Sequence, residues 1–106
     1  MSVYDIDTKE EFNDLLNSTD EFVLFLHADW APPSVALMED LAAKKEEISC
    51  DVHILNVVDF PSEASLFEAK GVPMLIWMKG DGIVKTQVGY EEGDTFNQLF
   101  TNLGEN

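Results

Sequence analysis

Residues 21–28, EFVLFLHA, form an apolar run interrupted only by a leading glutamate and a late histidine. The run is too short for most helices and rich in Phe and Val. It predicts a strand buried on both faces, as in the centre of a parallel sheet. Residues 50–60, CDVHILNVVDF, predict a second buried strand. Between them lies SVALMEDLAAKKEEI, residues 34–48, in which Leu37, Leu41 and Ile48 form an apolar helical stripe joined by Met38. Acids and lysines fill its outside, and Pro33 stands just before it, where a helix start tolerates proline.

The remaining segments extend this alternation. Val3, Tyr4 and Ile6 suit a short strand, and Thr8 with Glu11 has capping-box spacing ahead of Phe12, Leu15 and Leu16. PSEASLFEAKG, residues 61–71, predicts a short helix opened by Pro61 or Ser62, with Leu66 and Phe67 facing inward and Gly71 ending it. Residues 73–90 predict a hairpin around Lys79-Gly80-Asp81-Gly82. Phe96, Leu99, Phe100 and Leu103 line one face of a final predicted helix. The order β-α-β-α-β-α-β-β-α predicts one α/β domain over residues 1–106: a central mixed sheet with helices on both faces.

Charge and cysteine usage narrow the function classes. Twenty-one acidic residues against six basic ones give a formal net charge of −15. That field repels nucleic-acid backbone and acidic lipid over most of the surface, so neither nucleic acid nor membrane is an expected partner. It suits solubility, or a preference for basic partners. One cysteine, Cys50, excludes an internal disulfide framework. The chain has no apolar run of membrane-spanning length, and Met1 is not followed by a basic and then an apolar region. A soluble, cytoplasmic protein is expected.

Three short motifs carry a resemblance. Trp30-Ala31-Pro32-Pro33-Ser34 follows the first buried strand; Gly71-Val72-Pro73 follows a short helix; Lys79 to Gly89, KGDGIVKTQVG, makes up the hairpin. Together, in this order, they resemble the thioredoxin family over nearly the whole chain, which implies a thioredoxin-like fold. In that family a tryptophan precedes two cysteines separated by two residues; here the cysteine positions hold Ala31 and Ser34. The resemblance further implies a cis-proline at Pro73, a glycine beside the site at Gly89, and a buried proton acceptor at the position occupied by Phe25.

Disulfide exchange needs an attacking thiolate and a resolving thiol. Alanine supplies neither, and serine's hydroxyl stays protonated at neutral pH. No catalytic residue of the family reaction is therefore intact. Asp29 is the nearest acid, at a position usually exposed in the family. HADWAPPS, SLFEAKGVP and GIVKTQVG are most similar to the N-terminal thioredoxin-like domains of multidomain monothiol glutaredoxins, where the first cysteine is often replaced. Ser34 departs from that branch, and this chain carries no Cys-Gly-Phe-Ser motif, so it holds no cluster ligand of that branch. The implied function is a redox-inactive protein-binding module, in a monothiol-glutaredoxin system serving redox or iron homeostasis. Alanine and serine are also the usual designed replacements for cysteine, so the second reading is a cysteine-replaced dithiol thioredoxin, a protein-disulfide oxidoreductase.

The candidate binding groove comprises Trp30, Pro32, Pro33, Val72, Pro73 and Gly89. Trp30 is read either as a half-buried packing residue or as an exposed anchor for a partner. Pro32 and Pro33 either stiffen a helix start or floor the groove. In the family, the residue before the cis-proline presents its backbone to an extended peptide, which requires no cysteine. A protein or peptide partner near Trp30 and Pro73 is expected. No cofactor or metal is expected: His27 and His53 lie on different strands without ligand spacing. His27 reads as a satisfied structural histidine, with no nucleophile placed for it. Cys50 reads as a small buried hydrophobe.

Overall fold

Successive residues of strand β2, Glu21–His27, face opposite cores. Val23 and Phe25 join one cluster, and Phe22, Leu24 and Leu26 join the other. This period of two explains why the segment reads as a continuous apolar run: both of its faces are covered. The computed structural model describes residues 3–44, 46, 48 and 50–90. The final helix expected from Phe96, Leu99, Phe100 and Leu103 lies outside the described residues.

In chain order the elements are β1 (Val3–Asp5), α1 (Lys9–Asn17), β2, α2 (Pro32–Lys44), β3 (Asp51–Asn56), α3 (Pro61–Ser65), β4 (Met74–Lys79) and β5 (Gly82–Val88). They form a five-stranded sheet of order β1-β3-β2-β4-β5. β1 and β2 run parallel to β3, whereas β4 runs antiparallel to β2 and β5 antiparallel to β4. The expected mixed α/β sheet is present. Leu37 and Leu41 of α2 pack with Val23, Phe25, Val52, Leu75 and Trp77 on one face. Phe12 of α1 and Ala64 of α3 pack with Phe22, Leu24, Leu55 and Ile76 on the other.

Local chemistry sets the element ends. Thr8 caps α1 by accepting the Glu11 N–H at 3.1 Å, and the Glu11 carboxylate accepts the Asp7 N–H at 3.3 Å. β3 ends at Asn56, short of the predicted Phe60, because the Asn56 side-chain oxygen accepts the Val58 N–H at 2.9 Å and turns the chain. α2 begins at Pro32, earlier than the predicted Ser34, and ends at Lys44; Ile48 is buried beyond it. α3 stops at Ser65, and Glu68 follows in a left-handed conformation with φ 51°. The interrupted helix turns Leu66 outward, 65% exposed, where the pattern predicts it inside; Phe67 packs against the core. In the β4–β5 turn, Gly80 has φ 57°, and a Cβ there would sit 2.3 Å from the Ser18 carbonyl oxygen, so this corner requires glycine.

Candidate functional site

The loop from Ala28 to Ala31 joins the C-terminal end of β2 to the N-terminus of α2. Ala31 caps the helix through its carbonyl, which accepts the N–H groups of Ser34 and Val35, each at 3.0 Å. Pro32 and Pro33 occupy the first two helical positions, where a backbone N–H would have no partner within the helix. Both prolines are exposed, and Trp30 before them is 70% exposed, so its indole is a surface group. Ala31 is buried, and Ser34 is fully buried beneath the loop.

Ser34 is held by two strong contacts. Its Oγ lies 2.6 Å from Nδ1 of buried His27 and accepts the Ala28 N–H at 3.2 Å. The other ring nitrogen, Nε2, lies 2.7 Å from Oδ1 of Asp29, whose side chain is 85% exposed. The assignment that satisfies every partner has His27 Nε2–H donating to the carboxylate and the Ser34 hydroxyl donating to Nδ1. The sequence alone puts no nucleophile beside His27; the fold places Ser34 there. Residues 27 and 34 lie on different elements, and no local spacing signals the pair. A lone polar residue on the buried stripe of α2 was the available clue. The Ser–His–Asp order is that of a hydrolytic triad. With Oγ fully buried and already accepting a backbone N–H, no substrate carbonyl can reach it, and the chain of bonds pins the loop instead.

Phe25 is fully buried at the position where the resemblance expects a proton acceptor, and its ring meets His27 edge-on at 5.4 Å. On the other side of the loop, the Val72–Pro73 peptide bond is cis. Pro73 is buried, and its carbonyl accepts the Gly89 N–H at 2.8 Å, with Gly89 at φ 89°. Val72 is half-buried, and among the described residues its own N–H and C=O have no hydrogen-bond partner.

Trp30 and Val72 line one cavity of about 380 Å³. Its other walls were missed in the sequence: Val57 after β3, Pro61, Ala64 and Ser65 of α3, and Ala69, Lys70 and Gly71 before the cis bond. Of the six groove residues expected, the fold brings Trp30 and Val72 onto this cavity and ties Gly89 to Pro73; Pro32 and Pro33 are not on its lining. The signal that could have found α3 is its small residues, Ala64 and Ser65, which leave room for a ligand. Among the described residues, no group of three or more histidine, cysteine and carboxylate side chains is placed to hold a metal ion. Nor is any helix among them long and apolar enough to cross a membrane.

Three solved structures that match this fold are thioredoxins. A mutant thioredoxin from Halobacterium salinarum NRC-1 matches with TM-score 0.78 at 22% identity, over 95% of this chain and 89% of that one. A Plasmodium falciparum thioredoxin matches with TM-score 0.81 at 14% identity, over 95% and 99%. A Schistosoma mansoni thioredoxin pre-protein matches with TM-score 0.78 at 15% identity, over 93% and 96%. The chain has the thioredoxin-like fold. No protein-family model matches its sequence. On this thioredoxin-like scaffold, the two positions that the resemblance assigns to cysteine carry a buried methyl group and a buried hydroxyl.

Proposed function

We propose that this protein is a redox-inactive, thioredoxin-fold binding module that takes an extended peptide segment of a protein partner into the groove beside Trp30. One observation carries the reading: the exposed Trp30 indole and Val72, whose backbone has no partner among the described residues, share one largely apolar groove, while positions 31 and 34 hold no sulfur. An extended segment pairs its main chain with the N–H and C=O of Val72 and sets a side chain against Trp30. The sequence likeness to the thioredoxin-like domains of monothiol glutaredoxins supports a place in such a system, with the module presenting partners and contributing no electrons of its own.

The test is affinity capture from extract of the source cells with wild type and Trp30→Ala, followed by titration of the captured partner in purified form. Loss of an aromatic anchor costs about 2 kcal/mol or more, a fall in affinity of about thirtyfold. Circular dichroism should be unchanged, because the ring lies outside the core. A folded Trp30→Ala protein that keeps its partner at wild-type affinity would remove the groove from the interface.

A further inference from the structure

The β4–β5 ladder fixes which backbone groups of β5 stay open. The Gly89 N–H donates to the Pro73 carbonyl at 2.8 Å, so residues 73 and 89 form a hydrogen-bonded pair. Such pairs alternate with non-bonded ones along an antiparallel ladder. Leu75 with Gln87 and Trp77 with Lys85 are therefore bonded pairs, whereas Met74 with Val88 and Ile76 with Thr86 are not. The N–H and C=O groups of Thr86 and Val88 thus point away from β4, toward the outer edge of the sheet. Among the described residues no strand lies beyond β5, and neither residue has another hydrogen-bond partner. A register shift beside Trp77 and Met78 distorts the start of β5 and leaves residues 85–88 regular.

The two faces of this edge differ. Cross-strand neighbours share a face. Ile83, Thr86 and Val88 stand opposite Met78, Ile76 and Met74, which belong to the core shared with α1 and α3. The cover stops short of β5: Ile83 and Val88 are 53% and 51% exposed, and Thr86 is exposed. Lys85 stands opposite Trp77 on the other face, its Nζ 4.4 Å from the ring centre. Lys79 lies two residues along β4 from Trp77, where β4 pairs regularly with β2, so it shares that face. One face of the edge is apolar and the other basic. Between Glu68 and Glu91 the chain carries three of its six basic residues, and Asp81 is its one acid there.

We infer that the outer edge of β5 binds an extended segment of a partner protein by strand addition, and that apolar and acidic side chains alternate along that segment. The added strand pairs its main chain with Thr86 and Val88. Its side chains alternate between the two faces. One set packs beside Ile83, Thr86 and Val88; the other meets Lys85, with Lys79 one strand further in. At physiological salt, charges beyond about 8 Å are largely screened, so these lysines dominate the field that the segment meets. A second copy of this chain fits worse. It would set one lysine-bearing strand beside another and bring together two chains of formal charge −15. The edge is a surface apart from the groove, since none of Ile83, Thr86 and Val88 lines the cavity beside Trp30.

The experiment is selection of a displayed random nonapeptide library on the immobilised full chain at about 0.15 M salt. Wild type is compared with Thr86→Pro, Ile83→Glu, the double variant Lys79→Gln with Lys85→Gln, and Trp30→Ala. Proline at position 86 removes an outward N–H without breaking a bond to β4. Wild type should enrich peptides in which apolar and acidic residues alternate. Thr86→Pro should bind the best of them about tenfold more weakly or worse. Ile83→Glu alters an exposed side chain only, and it should weaken binding as well, which guards against misfolding of the proline variant. The double lysine variant should lose the acidic preference and bind about threefold to tenfold more weakly, as expected for two exposed pairs. Trp30→Ala should bind these peptides as wild type does. Absence of alternating peptides, enrichment of basic ones, or an acidic preference that survives in the double variant overturns the inference. Unchanged binding by Thr86→Pro and Ile83→Glu, or loss of binding in Trp30→Ala, overturns it too. A wild-type dimer in sedimentation that Thr86→Pro splits would assign the edge to a second copy and overturn it as well.

Discussion

Ser34 Oγ and His27 Nδ1 stand 2.6 Å apart, both shielded from solvent, one on the first turn of α2 and the other at the end of β2. Through them the helix, the strand and the intervening loop with Trp30 become one rigid piece. Replacing Ser34 by alanine removes a donor to His27 and an acceptor for the Ala28 N–H. The cost is about 1–3 kcal/mol, because buried polar groups lose their partners. Urea unfolding should show a lower midpoint with an unchanged slope. An unshifted midpoint would mean that the bond does not hold in solution. Ser34 should also resist fluorophosphonate labelling in the folded protein; labelling there would show that the hydroxyl is reachable.

The chain should not reduce a model protein disulfide, since neither position 31 nor position 34 carries sulfur. Cysteine at both positions should restore slow turnover, held down by Phe25 in place of an acid. His27 then becomes the base closest to the second thiol. Adding His27→Phe to the two-cysteine variant should lower the rate by about tenfold or more, within the usual range for a general base. An insulin-reduction assay measures both steps. A rate indifferent to His27→Phe would show that the proton leaves by another route.

Cys50 is buried just before β3, and burial pushes its thiol up to about 11 from 9.0, with Asp51 adding to the rise. A rise of that size cuts the thiolate fraction near neutrality about hundredfold. Iodoacetamide followed by mass spectrometry at pH 7.5 should modify the folded protein far more slowly than the urea-unfolded one. Equal rates in the two states would place the thiol at the surface.

His53 stacks on Tyr4 at 4.9 Å, and burial lowers its pKa below 6.5, against the opposing pull of Asp51, Asp20 and Glu11. Below 6.5 the unfolded chain therefore binds a proton that the folded chain resists. Stability from this residue is present above about 6.5 and is lost as pH falls through that value toward the folded pKa. Thermal unfolding between pH 7.5 and 5.5 should show a decline that is smaller in His53→Phe. An identical decline in the variant would assign the effect to other groups.

Much of this was legible in the sequence. The strands β2 and β3 announced themselves because both their faces are covered, leaving no polar alternation to obscure them. The capping pair Thr8 and Glu11 fixed the start of α1 through bonds between near neighbours. What escaped depends on contacts between segments or on a turn overriding a period. Leu66 fits an inward helical position only if α3 continues, and the helix stops one residue earlier. The Asn56 side chain ends β3 inside an apolar run that reads as strand to Phe60. Trp30, Val72 and Gly89 were found through family likeness, whereas Val57, Ala64 and the His27–Ser34 bond come together only in three dimensions.

The strand order has a mechanical consequence. Among the described strands β1 sits at the sheet edge, only three residues long, and its one neighbour is β3, which pairs Val3 with Val52. β4 and β5 close locally through a tight turn, whereas β1 must wait for a partner that arrives half a chain later, and closing so long a loop is slow. The same short ladder makes β1 the easiest strand to peel off, so its amides should exchange with solvent hydrogen before those of β2. Asp5 is the last residue of that strand and Asp7 lies just beyond it, and both line a cavity whose other walls include His27 and Met38. Heat or a tug on the N-terminus would thus open that cavity first and leave the groove beside Trp30 standing.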